Sequence, residues 1–159
     1  MGTRRVGGRR ALLRAMAAAP LVAWAGRAEA RDYTSAVEVL DEIDRLEADL
    51  DRRLARVPAA GGFAASVHAD HERQRGERSA LRRRLRLSAA RSAAAPATPP
   101  PIDVESLRSL AQDLVHAHAE GLPALSDAAA VDTLARHMVV DARHLAIIQM
   151  WGESEEQRG

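Results

Sequence analysis

The side chains best suited to chemistry in this sequence are an aspartate and two histidines near the C-terminal end. His137, Asp141 and His144 follow one another at steps of four and three residues, which places them on one side of a helix. The same side carries apolar residues, which predicts that it faces the protein interior: Leu134, Leu145 and Ile148. Because a buried carboxylate without a partner is costly, Asp141 requires a cation, either a metal ion or an arginine such as Arg78.

A glutamate and a histidine occupy inner positions of two earlier segments. Glu47 lies among leucines and isoleucines of the first segment, and His71 lies on the inner side of the second. The break between these segments centres near residue 59, so the two residues are expected at the same height in an antiparallel pair. Glu47 and His71 are interpreted either as two ligands that form half of a metal site or as the partners of a single hydrogen bond. His68 and His137 are secondary candidates for the same metal site.

Four amphipathic segments are expected to carry these residues. Apolar side chains recur at steps of three and four residues, which predicts helices over about 33–57, 63–88, 104–125 and 128–151. Ser35 with Glu38, Asp103 and Asp127 are predicted to cap three of the helix starts. The prediction is an all-α four-helix bundle over residues 31–151, followed by a disordered tail at 152–159.

The connections between the helices predict how they pair. The breaks at 58–62 and near residue 125 are short, so each flanking pair is expected to form an antiparallel hairpin. The segment 89–101 is rich in alanine and proline and is long enough to return along a whole bundle. We therefore expect two antiparallel hairpins joined by a long Pro-rich crossover.

This organisation resembles the ferritin-like superfamily, in particular the small bacterial ferritin-like domains of unknown function. The most similar stretches are residues 114–127 and 134–145. The fourth helix of that family carries an acidic residue, two spacers and a histidine, and Asp141 and His144 match this pattern with Asp in place of the commoner Glu. The resemblance implies a metal site inside the bundle that holds iron or manganese through Glu47, His71, Asp141 and His144.

The third predicted helix departs from the family pattern. The family would place a glutamate near Ser109, opposite Asp141, but the neighbouring inward positions are apolar: Leu107, Leu110 and Ala111. The inward His118 is expected to lie roughly 13 Å from Asp141 along the bundle axis, closer to the turn. The set of four carboxylates and two histidines that the family uses is therefore incomplete here.

Two other functions are open on the sequence alone. One is a metal-free bundle with a structural or protein-interaction role in the cell envelope, in which arginine neutralises the buried carboxylates. The other is weak metal buffering by surface histidines, here His116 and His118. No nucleophile elbow or Gly-rich loop accompanies the serine, histidine and aspartate residues, so the sequence leaves open whether the protein is an enzyme.

The first thirty residues predict an export signal. Basic residues precede an apolar stretch at 15–25, and Ala28-Glu29-Ala30 matches the small-x-small pattern of a cleavage site. The segment from Arg9 to Arg14 resembles the twin-arginine signature, with an ordinary signal peptide or an uncleaved anchor as alternatives. Because the apolar stretch is too short to span a bilayer, we expect an exported protein of the periplasm or cell envelope, without a stable membrane span in the mature chain.

The composition excludes several classes of site and partner. The chain has no cysteine and no lysine, which excludes disulfides, thiolate ligands, P-loops and Schiff bases. The first thirty residues hold six of the 23 basic residues and one of the 22 acidic ones, so the remainder carries 17 and 21, a net charge of about −4. This charge argues against nucleic acid as a partner. A metal ion stays open as a partner, as does association into a homo-oligomer.

Overall fold

The computed structural model describes residues 33–90 and 102–156, and all regular structure within these ranges is helical. Four α-helices are present there: α1 (Ala36–Leu54), α2 (Gly61–Arg84), α3 (Val104–Gly121) and α4 (Ala128–Glu156). Short 3-10 turns at Pro58–Ala60 and Leu122–Ala124 precede α2 and follow α3. The prediction of an all-α chain with four helices is confirmed. The predicted export signal lies outside the described residues, as does most of the proline-rich segment.

Three of the helices begin at the predicted caps. The Ser35 hydroxyl accepts a hydrogen bond from the Glu38 backbone N–H at 3.3 Å. The Asp103 carboxylate accepts one from the Ser106 backbone N–H at 2.6 Å, and the Ser106 hydroxyl accepts one in return. Asp127 caps α4 by accepting from the backbone N–H of Ala130. Each cap satisfies a backbone donor that the helix itself leaves without a partner, and so fixes where the helix begins.

The ends of the helices differ from the sequence prediction by up to five residues. The first two helices end before the predicted positions, at Leu54 and Arg84, and α3 ends at Gly121, where the chain tightens into a 3-10 turn that contains Pro123. The fourth helix continues to Glu156, past Gly152, where the sequence predicts the tail to begin.

Each helix packs against two others in antiparallel fashion. Helix α1 contacts α2 and α3, and α4 contacts the same two helices. Residues early in one helix meet residues late in its neighbour: Asp41 with Arg82, Val39 with Gly121, Asp70 with His144, Arg84 with Asp127, and Val104 with Gly152. All four neighbouring pairs are therefore antiparallel, which makes α2 parallel to α3.

The interior combines aliphatic side chains with a group of buried polar side chains, which we call the buried polar layer. Leucine, valine, isoleucine and alanine side chains from all four helices form the apolar part, including Leu40, Ile43, Leu50, Leu114, Leu134 and Ile148. The buried polar residues among those described are Glu47, His71, Gln74, Arg78, Arg82, His118, His137, Asp141 and His144. Buried polar groups are costly unless they are paired. The partners of these side chains therefore decide which of them remain available to bind a ligand.

None of the described helices is both long and apolar enough to cross a lipid bilayer.

Candidate metal centre

Asp141 lies at the centre of the buried polar layer, with an exposed fraction of 1%. Its Oδ2 atom lies 2.9 Å from Nε2 of His118. Its Oδ1 atom lies 3.5 Å from Nε2 of His71, 3.6 Å from Nδ1 of His144 and 3.4 Å from the amide of Gln74. One carboxylate thus meets imidazoles from α2, α3 and α4. We call His71, His118, Asp141 and His144 the histidine cluster.

The ring nitrogens that face Asp141 have no hydrogen-bond partner. This holds for Nε2 of His71, Nδ1 of His144 and Nε2 of His118, and also for Oδ2 of Asp141 itself. His118 approaches this oxygen to hydrogen-bonding distance, but the direction of its N–H does not meet the requirements of a hydrogen bond. Three ring nitrogens that are shielded from water therefore lie around the two oxygens of Asp141 without a hydrogen-bond partner, which is unusual in a protein interior.

Three of these residues have the chemistry and spacing of a metal site. Ligand atoms of His71, Asp141 and His144 all lie within 4.8 Å of one another, and all three residues are buried. Ligands bound at about 2.1 Å to one ion lie about 3.0–3.4 Å apart, slightly closer than the 3.5 and 3.6 Å measured from Asp141. Two imidazoles and one carboxylate suit a divalent first-row transition metal.

The outer nitrogens of both histidines are held by carboxylates. Nδ1 of His71 lies 2.7 Å from Oδ1 of Asp51, and Nε2 of His144 lies 3.1 Å from Oδ2 of Asp70. Such contacts fix the tautomer and the orientation of a metal-binding imidazole, and they increase its basicity. In each case the nitrogen that remains free is the one that faces Asp141.

The surroundings shift the pKa values of His71 and Asp141 in opposite directions. Burial alone would lower the pKa of His71, but the carboxylates of Asp141 and Asp51, followed by Glu47, raise it to about 9. Burial also disfavours an ionised Asp141, yet the imidazoles of His118, His144 and His71 hold the pKa of this carboxyl well below its ordinary value. Asp141 therefore stays ionised and needs a positive charge beside it, which either a metal ion or a protonated His71 can supply.

Arginine does not pair with Asp141, in contrast to the sequence-based alternative. The guanidinium of Arg78 donates to both carboxylate oxygens of Glu47, at 2.7 Å for Oε1, and its Nε donates to Asp44 at 2.8 Å. Next to it, Arg82 donates to Asp44 and Asp41. We call this group between α1 and α2 the arginine ladder: Asp41, Asp44, Glu47, Arg78 and Arg82. Its carboxylates all accept hydrogen bonds from arginine.

Glu47 and His71 do not form the pair that the sequence predicts. His71 binds Asp51, which lies one helical turn after Glu47, and Glu47 binds Arg78, two turns after His71. The prediction placed the centre of the hairpin near residue 59, but the 3-10 turn Pro58–Ala60 leads directly into α2 at Gly61. This shifts the register between α1 and α2, so that Glu47 faces Arg78, a residue later in α2 than His71.

His118 is the residue that sequence reasoning missed. It was expected about 13 Å from Asp141, but the two side chains are in contact. The contact of Val104 with Gly152 shows the same displacement of α3 relative to α4. The prediction took residue 125 as the point where the chain reverses between α3 and α4. The connection from Gly121 to Ala128 continues along the bundle axis before it reverses, so each residue of α3 faces a later residue of α4 than predicted. The full burial of His118 also contradicts its assignment to a surface histidine pair.

The two secondary histidines lie at the margins of the cluster. His137 is buried, and its Nε2 lies 3.0 Å from Glu77; burial is the main cause that lowers its pKa to about 4. Its ring packs edge-on against His118 at 6.2 Å between centroids. The side chain of His68 is 61% exposed and contacts Asp51 at 3.2 Å. Neither belongs to a group of three close ligands among the described residues.

A surface cavity of about 530 Å³ lies beside the α1–α2 turn. Its lining is mostly apolar, and Asp51 and His68 form part of its polar wall. Because Asp51 contacts both His68 and the buried His71, polar contacts lead from this cavity to the histidine cluster.

No protein-family model matches this chain, and neither a curated protein nor a solved structure matches it. A functional assignment therefore depends on the geometry of the described residues.

Proposed function

We propose that this chain is an exported, ferritin-like helical protein that binds one divalent transition-metal ion in the interior of its bundle. The ligands are His71 on α2 and Asp141 and His144 on α4. The observation that carries the proposal is the approach of two buried ring nitrogens without a hydrogen-bond partner, Nε2 of His71 and Nδ1 of His144, to Oδ1 of Asp141, while the outer nitrogens of the same rings contact carboxylates. A bound cation would satisfy the inner atoms and neutralise Asp141.

The ligand types favour iron(II) or manganese(II). Two histidines and one carboxylate, with further coordination positions left for water or a small molecule, are typical of mononuclear non-haem iron sites. When bound, such an ion supplies a redox-active centre in a dry environment. The residues of the chain hold it in place: Asp51 and Asp70 orient the two imidazoles, and Gln74 donates to the carboxylate of Asp141.

The pairing of the helices supports the ferritin-like architecture. Because α2 and α3 are parallel, the last residue of α2, Arg84, and the first residue of α3, Val104, lie at opposite ends of the described helices. Two antiparallel hairpins with one long crossover are the arrangement of ferritin-like folds. Ligands on facing helices at the middle of such a bundle are also typical of these proteins.

Export is the least direct part of the proposal and depends on the sequence of the first thirty residues. A twin-arginine signal is typical of proteins that cross the membrane already folded, and many of these receive a cofactor beforehand. A metal site enclosed by four helices fits this route, because the ion would be trapped during folding.

The test is the metal content of the protein after export. The full gene is expressed, the mature protein is purified from the periplasmic fraction without chelators, and its metals are measured by elemental analysis. We expect about one iron or manganese ion per chain, and loss of the ion in His71→Ala and His144→Ala. The exposed histidine provides the matched control, since His68→Ala is expected to keep the ion.

A metal-free bundle with a structural or interaction role in the cell envelope is the alternative function. It is favoured by the raised pKa of His71, because a protonated imidazole between Asp51 and Asp141 neutralises part of the cluster without a metal. A purified protein that holds no metal, and whose melting temperature does not respond to added ions, would support this alternative and overturn the proposal.

A further inference from the structure

A second group of close ligands overlaps the proposed site. Ligand atoms of Glu47, His118 and Asp141 lie within 4.8 Å of one another, and their exposed fractions are 0, 0 and 1%. The two groups share Asp141, whose Oδ1 faces His71 and His144 while its Oδ2 faces His118. Nε2 of His118 and Oδ2 of Asp141 have no hydrogen-bond partner. The chain thus provides a second position with the elements of a cation site.

A cation of the chain itself already binds one member of this second group. Arg78 is completely buried, and its guanidinium donates to both oxygens of Glu47. The guanidinium already matches the charge of this carboxylate, and its own positive charge would repel a divalent cation placed beside Glu47. The additional bond of Arg78 to Asp44 anchors the guanidinium from the other side.

We infer that Arg78 takes the place of a metal ion at the position formed by Glu47, His118 and Asp141, and thereby limits the bundle to a single ion. This inference rests on the proposed function, since it presupposes an ion bound by His71, Asp141 and His144. A buried glutamate requires a positive partner, and Arg78 and a divalent cation are alternatives for this role. Two carboxylates and one imidazole are suitable ligands for manganese(II) or iron(II).

The inference predicts that removal of the guanidinium creates a second metal site. In Arg78→Met the long apolar side chain replaces most of the volume of arginine, and Glu47 becomes free to bind a metal. Mature wild-type and variant protein, both exported from the full gene, are stripped of metal and titrated with Mn²⁺, with the bound ion counted by elemental analysis after dialysis. We expect about one ion per wild-type chain and about two per Arg78→Met chain.

A double variant provides the matched control. Glu47→Gln combined with Arg78→Met removes both charges together, so it avoids an unpaired buried carboxylate and is expected to bind about one ion. If Arg78→Met unfolds without metal, circular dichroism with and without Mn²⁺ decides the question. Recovery of the helical signal by Mn²⁺ supports the inference, and failure to refold at saturating Mn²⁺ overturns it.

The outcomes separate this inference from the proposed function. A wild-type protein that binds no ion refutes the proposed function. One ion in both wild type and Arg78→Met leaves the proposed function intact and overturns the inference. Two ions in the wild type overturn the inference and also contradict the single ion of the proposed function. Two ions in Arg78→Met but one in the double variant support both.

Discussion

The buried polar layer consists of two neighbouring regions that satisfy their charges in different ways. In the arginine ladder, the carboxylates on α1 are matched by the guanidinium groups of Arg78 and Arg82 on α2. In the histidine cluster, Asp141 faces three imidazoles, and several of the inner ligand atoms have no partner. Every carboxylate of the first region is paired with arginine, although Nε of Arg82 has no hydrogen-bond partner, whereas Asp141 in the second region is surrounded by imidazoles. The two regions therefore match buried carboxylates with different groups, guanidinium in the first and imidazole in the second.

The largest effect is expected when the centre of the histidine cluster is changed. Asp141→Asn keeps the shape of the side chain but replaces an anionic ligand by a weak neutral one, so the metal content should fall from about one ion per chain to background. Elemental analysis measures the metal content. Asp49→Asn is the control, because Asp49 pairs with Arg52 and Arg53 away from the histidine cluster. Full retention of metal in Asp141→Asn would show that the ion is bound elsewhere.

The arginine ladder is expected to be essential for stability even without metal. Arg78→Ala leaves Glu47 as an uncompensated buried charge, which should lower the free energy of unfolding of the metal-free protein by about 3–5 kcal/mol. Urea denaturation followed by circular dichroism measures the loss. Arg45→Ala is the matched control, because its pair with Glu42 is exposed and should contribute at most about 1 kcal/mol. Equal losses in the two variants would contradict the comparison.

Metal addition should stabilise the protein through the histidine cluster alone. At a free Mn²⁺ concentration of about 100 times Kd, the free energy of unfolding should rise by about 2.7 kcal/mol. For a domain of this size the melting temperature would increase by about 5–10 °C, measured by differential scanning calorimetry with a chelated sample as reference. His71→Ala should not respond to Mn²⁺; if it gains as much as the wild type, the cluster is not the binding site.

A smaller effect is expected from the carboxylates that orient the ligands. Asp51→Asn removes the acceptor of His71 Nδ1 but leaves the ligand atoms in place, so the affinity for Mn²⁺ should fall by about 10- to 100-fold. Isothermal titration calorimetry measures this change, and Asp49→Asn on the same helix is again the control. An unchanged affinity would mean that Asp51 does not support the imidazole in the bound state.

The smallest effect is expected at a glycine of α2, the helix that contributes to both regions. A Cβ atom added at Gly76 meets no atom within 4 Å, so Gly76→Ala should stabilise the protein by about 0.5–1 kcal/mol through helix propensity. The metal content should stay the same, and a change of metal content in Gly76→Ala would indicate that the backbone of α2 is strained at the site.

The glycine at the end of α3 is expected to behave differently. At Gly121 the new Cβ would collide with Val39, so Gly121→Ala should destabilise the protein by about 1–3 kcal/mol.

Much of the site was predictable from periodicity. Spacing to leucine and isoleucine places Asp141, His71 and Glu47 on inward faces and His144 at the edge of one, and all four are buried. The identity of their partners was not predictable in the same way. A midpoint rule for the hairpins put Glu47 opposite His71 and separated His118 from Asp141, and both expectations are wrong.

The sequence by itself determined the class of structure, the starts of the helices and the face that each helix turns inward. These properties are local, because they depend on a repeat of 3.6 residues and on capping groups within one turn. Only the tertiary structure decided that Arg78 neutralises Glu47 and leaves Asp141 to the histidines. The reason is that the register between helices depends on the path of short connections, and a shift of one turn changes which long side chains meet.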